Sequence, residues 1–199
     1  MPPYGYDAAM TTQFTQQLPL PLAKVVRGRA AEYLVIIGAA AILGCDLLDQ
    51  TLDARIYAAS EHAIGKAAWL FHLGVGAIFV VVMLLLARTW RVKGRLGITR
   101  ALIVAAVGII GLVAFPTDPG WQVVSVPGRL HPLFAVIAAG SLLIAGSRLA
   151  HPRRLIIDTV LLYGAGFAGY LAGGGAGAAE RAALGVVGVL LFLAARRSR

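Results

Sequence analysis

The residues of this sequence that could perform chemistry are a few acids, histidines and one arginine at the edges of long apolar runs. Asp118 stands in a Pro-rich turn after the third run, and His131 opens the fourth. Glu180 and Arg181 are adjacent near the start of the last run, and His72 lies inside the second. A carboxylate and an imidazole held side by side can exchange protons with a substrate. These five residues are therefore the candidate catalytic residues.

A metal site is the second kind of chemistry to consider. It would need three or four ligands at about 2.0–2.2 Å from one ion, and no HxxH, HxxxH or CxxC spacing places ligands on one element. His72, His131 and Asp118 are the candidate ligands. We predict no cofactor, and the bound small molecules that we expect are lipids. Other acids and histidines near the same ends of the runs are Asp46, Asp49, Asp53, Glu61 and His62.

Membrane-spanning helices are the elements that must position these residues. Hydrophobic residues make up 59% of the 199 residues and charged residues 14%, whereas a soluble domain has about 45–50% and about 25%. A helix needs roughly 20 apolar residues to cross the hydrocarbon core of a bilayer. Six runs have about this length: Ala30 to Asp49, Ala67 to Ala87, Leu96 to Phe115, Leu130 to Ser147, Leu155 to Ala172 and Ala176 to Ala195.

The six runs predict an all-α, polytopic bundle of six transmembrane helices over residues 30–197. The runs are continuous and do not alternate, which argues against the strands of a membrane barrel. Residues 1–29 lack a helical period and are expected to form a flexible cytoplasmic tail. Small residues in the last two runs predict close helix packing, either within the bundle or against a partner. They are Gly164, Gly166, Gly169, Gly173, Gly185 and Gly188.

The basic residues predict the orientation of the bundle. Fourteen of the 18 Lys and Arg residues fall in segments on the same side as both termini, and four fall on the other side. Positively charged loops are retained in the cytoplasm, so both termini should be cytoplasmic. This orientation predicts a multi-pass protein of the cytoplasmic membrane. The net charge of +9 then reflects orientation, and nucleic acid is not an expected partner.

The densest basic cluster lies between the second and third runs. It is expected to contact anionic lipid head groups, because basic residues just outside a span are attracted to them. Its members are Arg88, Arg91, Lys93 and Arg95.

Three short segments resemble a known family. They are Val113-Ala-Phe-Pro-Thr-Asp-Pro, the loop that leads to His131, and Ala179-Glu-Arg. Together they resemble the six-span bacterial and archaeal membrane family called domain of unknown function 998. The resemblance covers residues from about 30 to 197 and implies the six-helix fold, but it brings no activity. The positions that match the family pattern are Asp118, His131, Glu180 and Arg181.

Two hypotheses for function follow. The first is a non-enzymatic accessory or scaffold subunit that packs against a membrane-protein complex or lipids, because the loops are short and no catalytic motif such as GxSxG is present. Its expected partners are membrane lipids and either a membrane protein or a second copy of the chain. The alternative is a membrane enzyme that uses an Asp and His site at the non-cytoplasmic face on a lipid or small substrate.

Overall fold

The computed structural model describes residues 29–54, 57–90, 92–121, 124–151, 155–173 and 175–197. Within these ranges the chain forms six long helices, two short 3-10 helices and no strand. The prediction of an all-α fold is confirmed. Residues 1–28 of the predicted tail lie outside the described residues. The long helices are α1 Ala30–Leu48, α2 Ala68–Thr89, α3 Leu96–Ala114, α4 Val126–Ala150, α5 Leu155–Gly173 and α6 Ala176–Arg197.

Five of the described helices are long and apolar enough to cross a membrane, namely α1 to α4 and, over Gly177–Arg197, α6. The apolar part described for α5 is shorter and spans Leu155–Gly169. Large apolar side chains point outward, and Leu47, Val136 and Ile156 are 75%, 71% and 81% exposed. Helices that are apolar on their outer surface are typical of a lipid environment. The structure thus agrees with a multi-pass membrane bundle.

The largest difference from the predicted helix bounds is at the start of α4. The sequence predicts a start at Leu130, whereas the helix begins at Val126. The Ser125 hydroxyl accepts a hydrogen bond from the Gly128 N–H at 3.0 Å and caps the helix. Pro127 follows in the first turn, where its missing N–H costs nothing. Capping therefore extends the helix beyond the apolar run.

Helices that follow one another in the sequence pack as pairs through close backbone contacts at glycine. A Cβ on Gly38 of α1 would lie 3.1 Å from the Gly74 carbonyl oxygen of α2. A Cβ on Gly108 of α3 would lie 2.7 Å from the Ala138 nitrogen of α4. Of the predicted packing glycines, Gly169 approaches α6 in the same way, whereas a Cβ at Gly164, Gly185 or Gly188 would meet only open space.

The largest fully buried apolar side chains lie toward one end of the bundle. We call the end where α1 begins and α6 ends the termini end, and the opposite end the far end. Fully buried residues of the main core lie in the half toward the termini end, among them Val81, Leu85, Leu102 and Leu191. Toward the far end the apolar cluster is smaller and centres on Cys45, Ala67 and Phe71. Polar contacts supply much of the cohesion there.

Candidate functional site

A half-buried ion pair joins the first and last helices at the far end. Arg181 of α6 donates from Nε to Oδ2 of Asp46 on α1 at 2.8 Å, and its Nη2 donates to Oδ1 of the same carboxylate. Its Nη1 donates to the carbonyl oxygens of Tyr57 at 2.8 Å and Gly177 at 3.1 Å. Such two-pronged pairing of guanidinium and carboxylate is among the strongest polar contacts in proteins. Arg181 thus ties three segments together.

His62 completes this site from the connection between α1 and α2. It lies in the 3-10 helix Ala59–Ile64, is 1% exposed, and places Nε2 at 2.8 Å from Oδ1 of Asp46. Because the Asp46 carboxylate accepts from Arg181 as well, we assign the proton of this contact to Nε2. The other ring nitrogen, Nδ1, is buried and has no hydrogen-bond partner among the described residues.

Two glutamates connect the same 3-10 helix to neighbouring segments. Oε2 of Glu180 accepts from the N–H of Ala59 at 2.9 Å, and Oε2 of Glu61 accepts from the N–H of Gly120 at 2.9 Å. The first contact reaches α6, and the second reaches the turn between α3 and α4. The 3-10 helix is therefore held across the far end from several sides. The five side chains that hold it, Asp46, Glu61, His62, Glu180 and Arg181, are called the far-end cluster below.

Asp118 closes the turn before α4. Its carboxylate accepts from the Ser125 hydroxyl at 2.6 Å and from the backbone N–H groups of Val124 and Ser125, both at 2.8 Å. These donors, the Ser125 hydroxyl first, lower the pKa of the Asp118 carboxyl below its ordinary value. A Cβ on Gly128 would overlap this carboxylate, so the glycine makes room for it. In this structure Asp118 organises its own loop.

We expect Asp118→Asn to melt about 2–4 °C below the wild type at pH 7, because the charged acceptor of three hydrogen bonds is lost. A lowered folded pKa means that the carboxylate stabilises the fold above the ordinary Asp pKa of about 3.9, and that this contribution disappears as the pH falls through the folded pKa. The difference in melting temperature should therefore narrow in acid. Thermal melts in detergent between pH 3 and 7 measure it. A difference that is constant over this range would contradict the assignment.

His131 lies one turn inside α4 and is bonded to the end of α3. Its Nδ1 is 2.7 Å from the carbonyl oxygen of Phe115, so Nδ1 carries the proton of this contact. The ring is 5% exposed, and Nε2 is buried without a partner among the described residues. Like Asp118, His131 joins the α3–α4 connection to the start of α4.

His72 is the candidate that faces outward. It lies on α2, is exposed, and meets the ring of Phe71 edge-on with the ring centres 5.9 Å apart. It also lines a cavity of about 520 Å³ between α2 and α3 whose other walls are apolar. No other candidate catalytic residue lines this cavity.

The basic cluster at the termini end differs in part from the prediction. Arg88 is 8% exposed, and its Nη1 donates to the Ala195 carbonyl oxygen of α6 at 3.2 Å. The reason is that α2 continues to Thr89, which turns Arg88 toward the bundle and not toward head groups. Lys93 is exposed and Arg95 is half-buried. Arg91 lies outside the described residues.

The structure brings the candidate residues together only in part. Glu180 and Arg181 join the far-end cluster, but through different partners. Asp118 and His131 form a second group at the start of α4, and His72 lies apart. In the described parts of the chain, no three His, Cys, Asp or Glu side chains are grouped so that they could hold a metal ion, and the proposed ligands His72, His131 and Asp118 belong to no such group.

Sequence reasoning places Asp46, His62 and Arg181 at the same end of the bundle, but it does not pair Asp46 and His62 with Arg181. A signal for the pairing exists. Ionisable residues within apolar runs usually face a partner inside the bundle, and Asp46 and Arg181 have opposite charges near the same end of two runs. No such signal exists for the burial of His62, since it lies in a polar connection.

No protein-family model matches this chain, and no curated protein or solved structure is significantly similar to it. The geometry of the far end is therefore the basis for a proposal about function.

Proposed function

We propose that this chain is a non-enzymatic accessory or scaffold protein of the cytoplasmic membrane, which packs against lipids and a membrane-protein partner. One observation supports this most. Four of the five candidate catalytic residues bond to the backbone of connecting segments: Asp118, His131, Glu180 and Arg181. Side chains that bond to loop backbone hold the loops against the helix bundle. A rigid scaffold requires loops that are held in this way.

The proposal includes six spans with both termini in the cytoplasm. α5 would cross as the fifth span, because it lies against α6 and carries an apolar outer face. The basic residues at the termini end then face the cytoplasm, in accord with the positive-inside rule. The resemblance to domain of unknown function 998 fits the same assignment, since all four of its matching positions lie at the far end.

Reporter fusions test the topology. Alkaline phosphatase fused after Arg199 should be inactive, and the same enzyme fused after Gly175, between α5 and α6, should be active, because it folds only outside the cytoplasm. A fusion after His151 should be inactive. If the fusions after His151 and Gly175 behave alike, α5 does not cross and the six-span topology is wrong.

Purification in a mild detergent tests the role. We expect native mass spectrometry of the full chain to show either a second copy or another membrane protein, together with bound lipid. A monomer that carries one metal ion per chain would contradict the scaffold role and favour the alternative, an enzyme that acts on a lipid or small substrate at the non-cytoplasmic face.

A further inference from the structure

The groove between α2 and α3 has apolar walls and one polar residue. His72 stands at its far-end rim, and Val75, Gly76 and Phe79 follow along α2. Ile109, Ile110 and Val113 form the α3 side. The volume of about 520 Å³ falls in the range of about 300–1,000 Å³ that is typical of small-molecule sites.

Gly76 creates the hollow in the α2 wall. A Cβ at this position would meet no atom within 4 Å. Farther in, the side chain of Ile109 is 4% exposed and belongs to the main core, so it forms the floor. From His72 to Phe79 the groove extends about 10 Å along the helix, at 1.5 Å per residue. This shape suits an extended hydrocarbon chain.

Trp69 indicates how deep the rim of the groove lies in the membrane. Its side chain is 63% exposed, one turn before His72 on α2. Exposed tryptophans are enriched at the level of the lipid head groups. His72 is three residues farther in, about 4.5 Å deeper at 1.5 Å per residue. An imidazole N–H at this depth would lie within reach of the phosphate and ester oxygens of a phospholipid, and these oxygens accept hydrogen bonds.

We propose that the α2–α3 groove binds one phospholipid of the non-cytoplasmic leaflet, with an acyl chain along Gly76 and a head-group oxygen at His72. The inference rests on the membrane placement in the proposed function and names the lipid site within it. The apolar walls match the chain, and the single hydrogen-bond donor at the rim matches the phosphate or ester group. Binding requires no other polar group in the groove.

Photo-crosslinking of the full chain tests the site. The protein is reconstituted in vesicles of phosphatidylethanolamine and phosphatidylglycerol that contain phosphatidylglycerol with a diazirine in its acyl chain. We expect cross-links on α2 and α3 at Phe79 and Ile110. Gly76→Leu should reduce them about tenfold, because the new side chain fills the groove. Gly140→Leu is the matched control, since a Cβ at Gly140 on α4 also meets no atom within 4 Å, and it should label as the wild type does.

Variants of His72 test the hydrogen bond to the head group independently of the space at Gly76. His72→Ala should reduce labelling about two- to tenfold, the size of one net hydrogen bond, and His72→Gln, which keeps a donor, should restore most of it. Unchanged labelling of Gly76→Leu and His72→Ala would overturn the proposal. So would a diazirine-bearing fatty acid that labels the groove while the phospholipid does not. If the wild type is not labelled in the groove while the reporter fusions behave as expected, this inference alone is refuted, whereas reversed fusions refute the proposed function.

Discussion

Replacing Arg181 by Met is expected to destabilise the folded protein by about 2–4 kcal/mol, between the cost of losing one partner of an exposed ion pair and that of a fully buried one. The variant leaves the Asp46 carboxylate, whose side chain is 18% exposed, without its guanidinium. It also removes the donor to the Tyr57 and Gly177 carbonyl oxygens. Unfolding of the detergent-solubilised protein by increasing denaturant measures the loss.

A double-mutant cycle separates the ion pair from a general packing defect. Asp46→Asn combined with Arg181→Met should recover part of the lost stability, because position 46 then carries no charge that lacks its guanidinium. Lys66→Met, which removes an exposed basic residue at the same end, should change stability by no more than about 0.5 kcal/mol. If the two single effects simply add, Asp46 and Arg181 are not energetically coupled.

Gly177→Ala is expected to destabilise the far end by about 1–3 kcal/mol, as overpacking does elsewhere. The new Cβ would lie 2.2 Å from the Tyr57 carbonyl oxygen and 2.8 Å from that of Ala54. Both atoms are backbone, so the connection between α1 and α2 must move away from α6. The same Tyr57 oxygen accepts from Arg181, and the displacement therefore weakens the far-end cluster as well.

Gly185→Ala on the same helix is the control for this effect. A Cβ at Gly185 meets open space, and alanine is up to about 1 kcal/mol better than glycine within a helix. In the same detergent, the melting temperature of Gly177→Ala should therefore fall, and that of Gly185→Ala should stay the same or rise. Equal changes in melting temperature for the two variants would show that the close contact at Gly177 does not affect stability.

The helices could be predicted from the sequence because their signal is local. The apolar runs starting at Ala30, Leu96 and Leu155 begin where the helices do. The start of α4 differs because capping by Ser125 outweighs the polar composition of the first turn. Arg88 differs because its orientation depends on how far α2 continues. Whether a residue on a helix points into the bundle or outward depends on how the helices pack, and the number of charges in each segment does not reveal the packing.

The candidate site was less predictable because its contacts are between distant segments. Asp46 and Arg181 are separated by 135 residues, and only the order of the helices around the bundle brings them together. The partner of Asp118 is Ser125, only seven residues away. Ser125 takes this role because it caps a helix that begins at Val126, four residues before the apolar run. The burial of His62 depends on a 3-10 helix that hydropathy does not indicate.

The separation of Asp46 and Arg181 has a consequence for biosynthesis. At a translation rate of about 5–20 residues per second, the ribosome makes Arg181 roughly 7–27 s after Asp46. During this interval the first helix holds an acidic side chain whose guanidinium partner does not yet exist. The far end can close only when α6 has been made, because Arg181 reaches Asp46 from that helix. A nascent chain that stops before α6 keeps the Asp46 carboxylate without its guanidinium partner, and His62 is then the side chain left to donate to it.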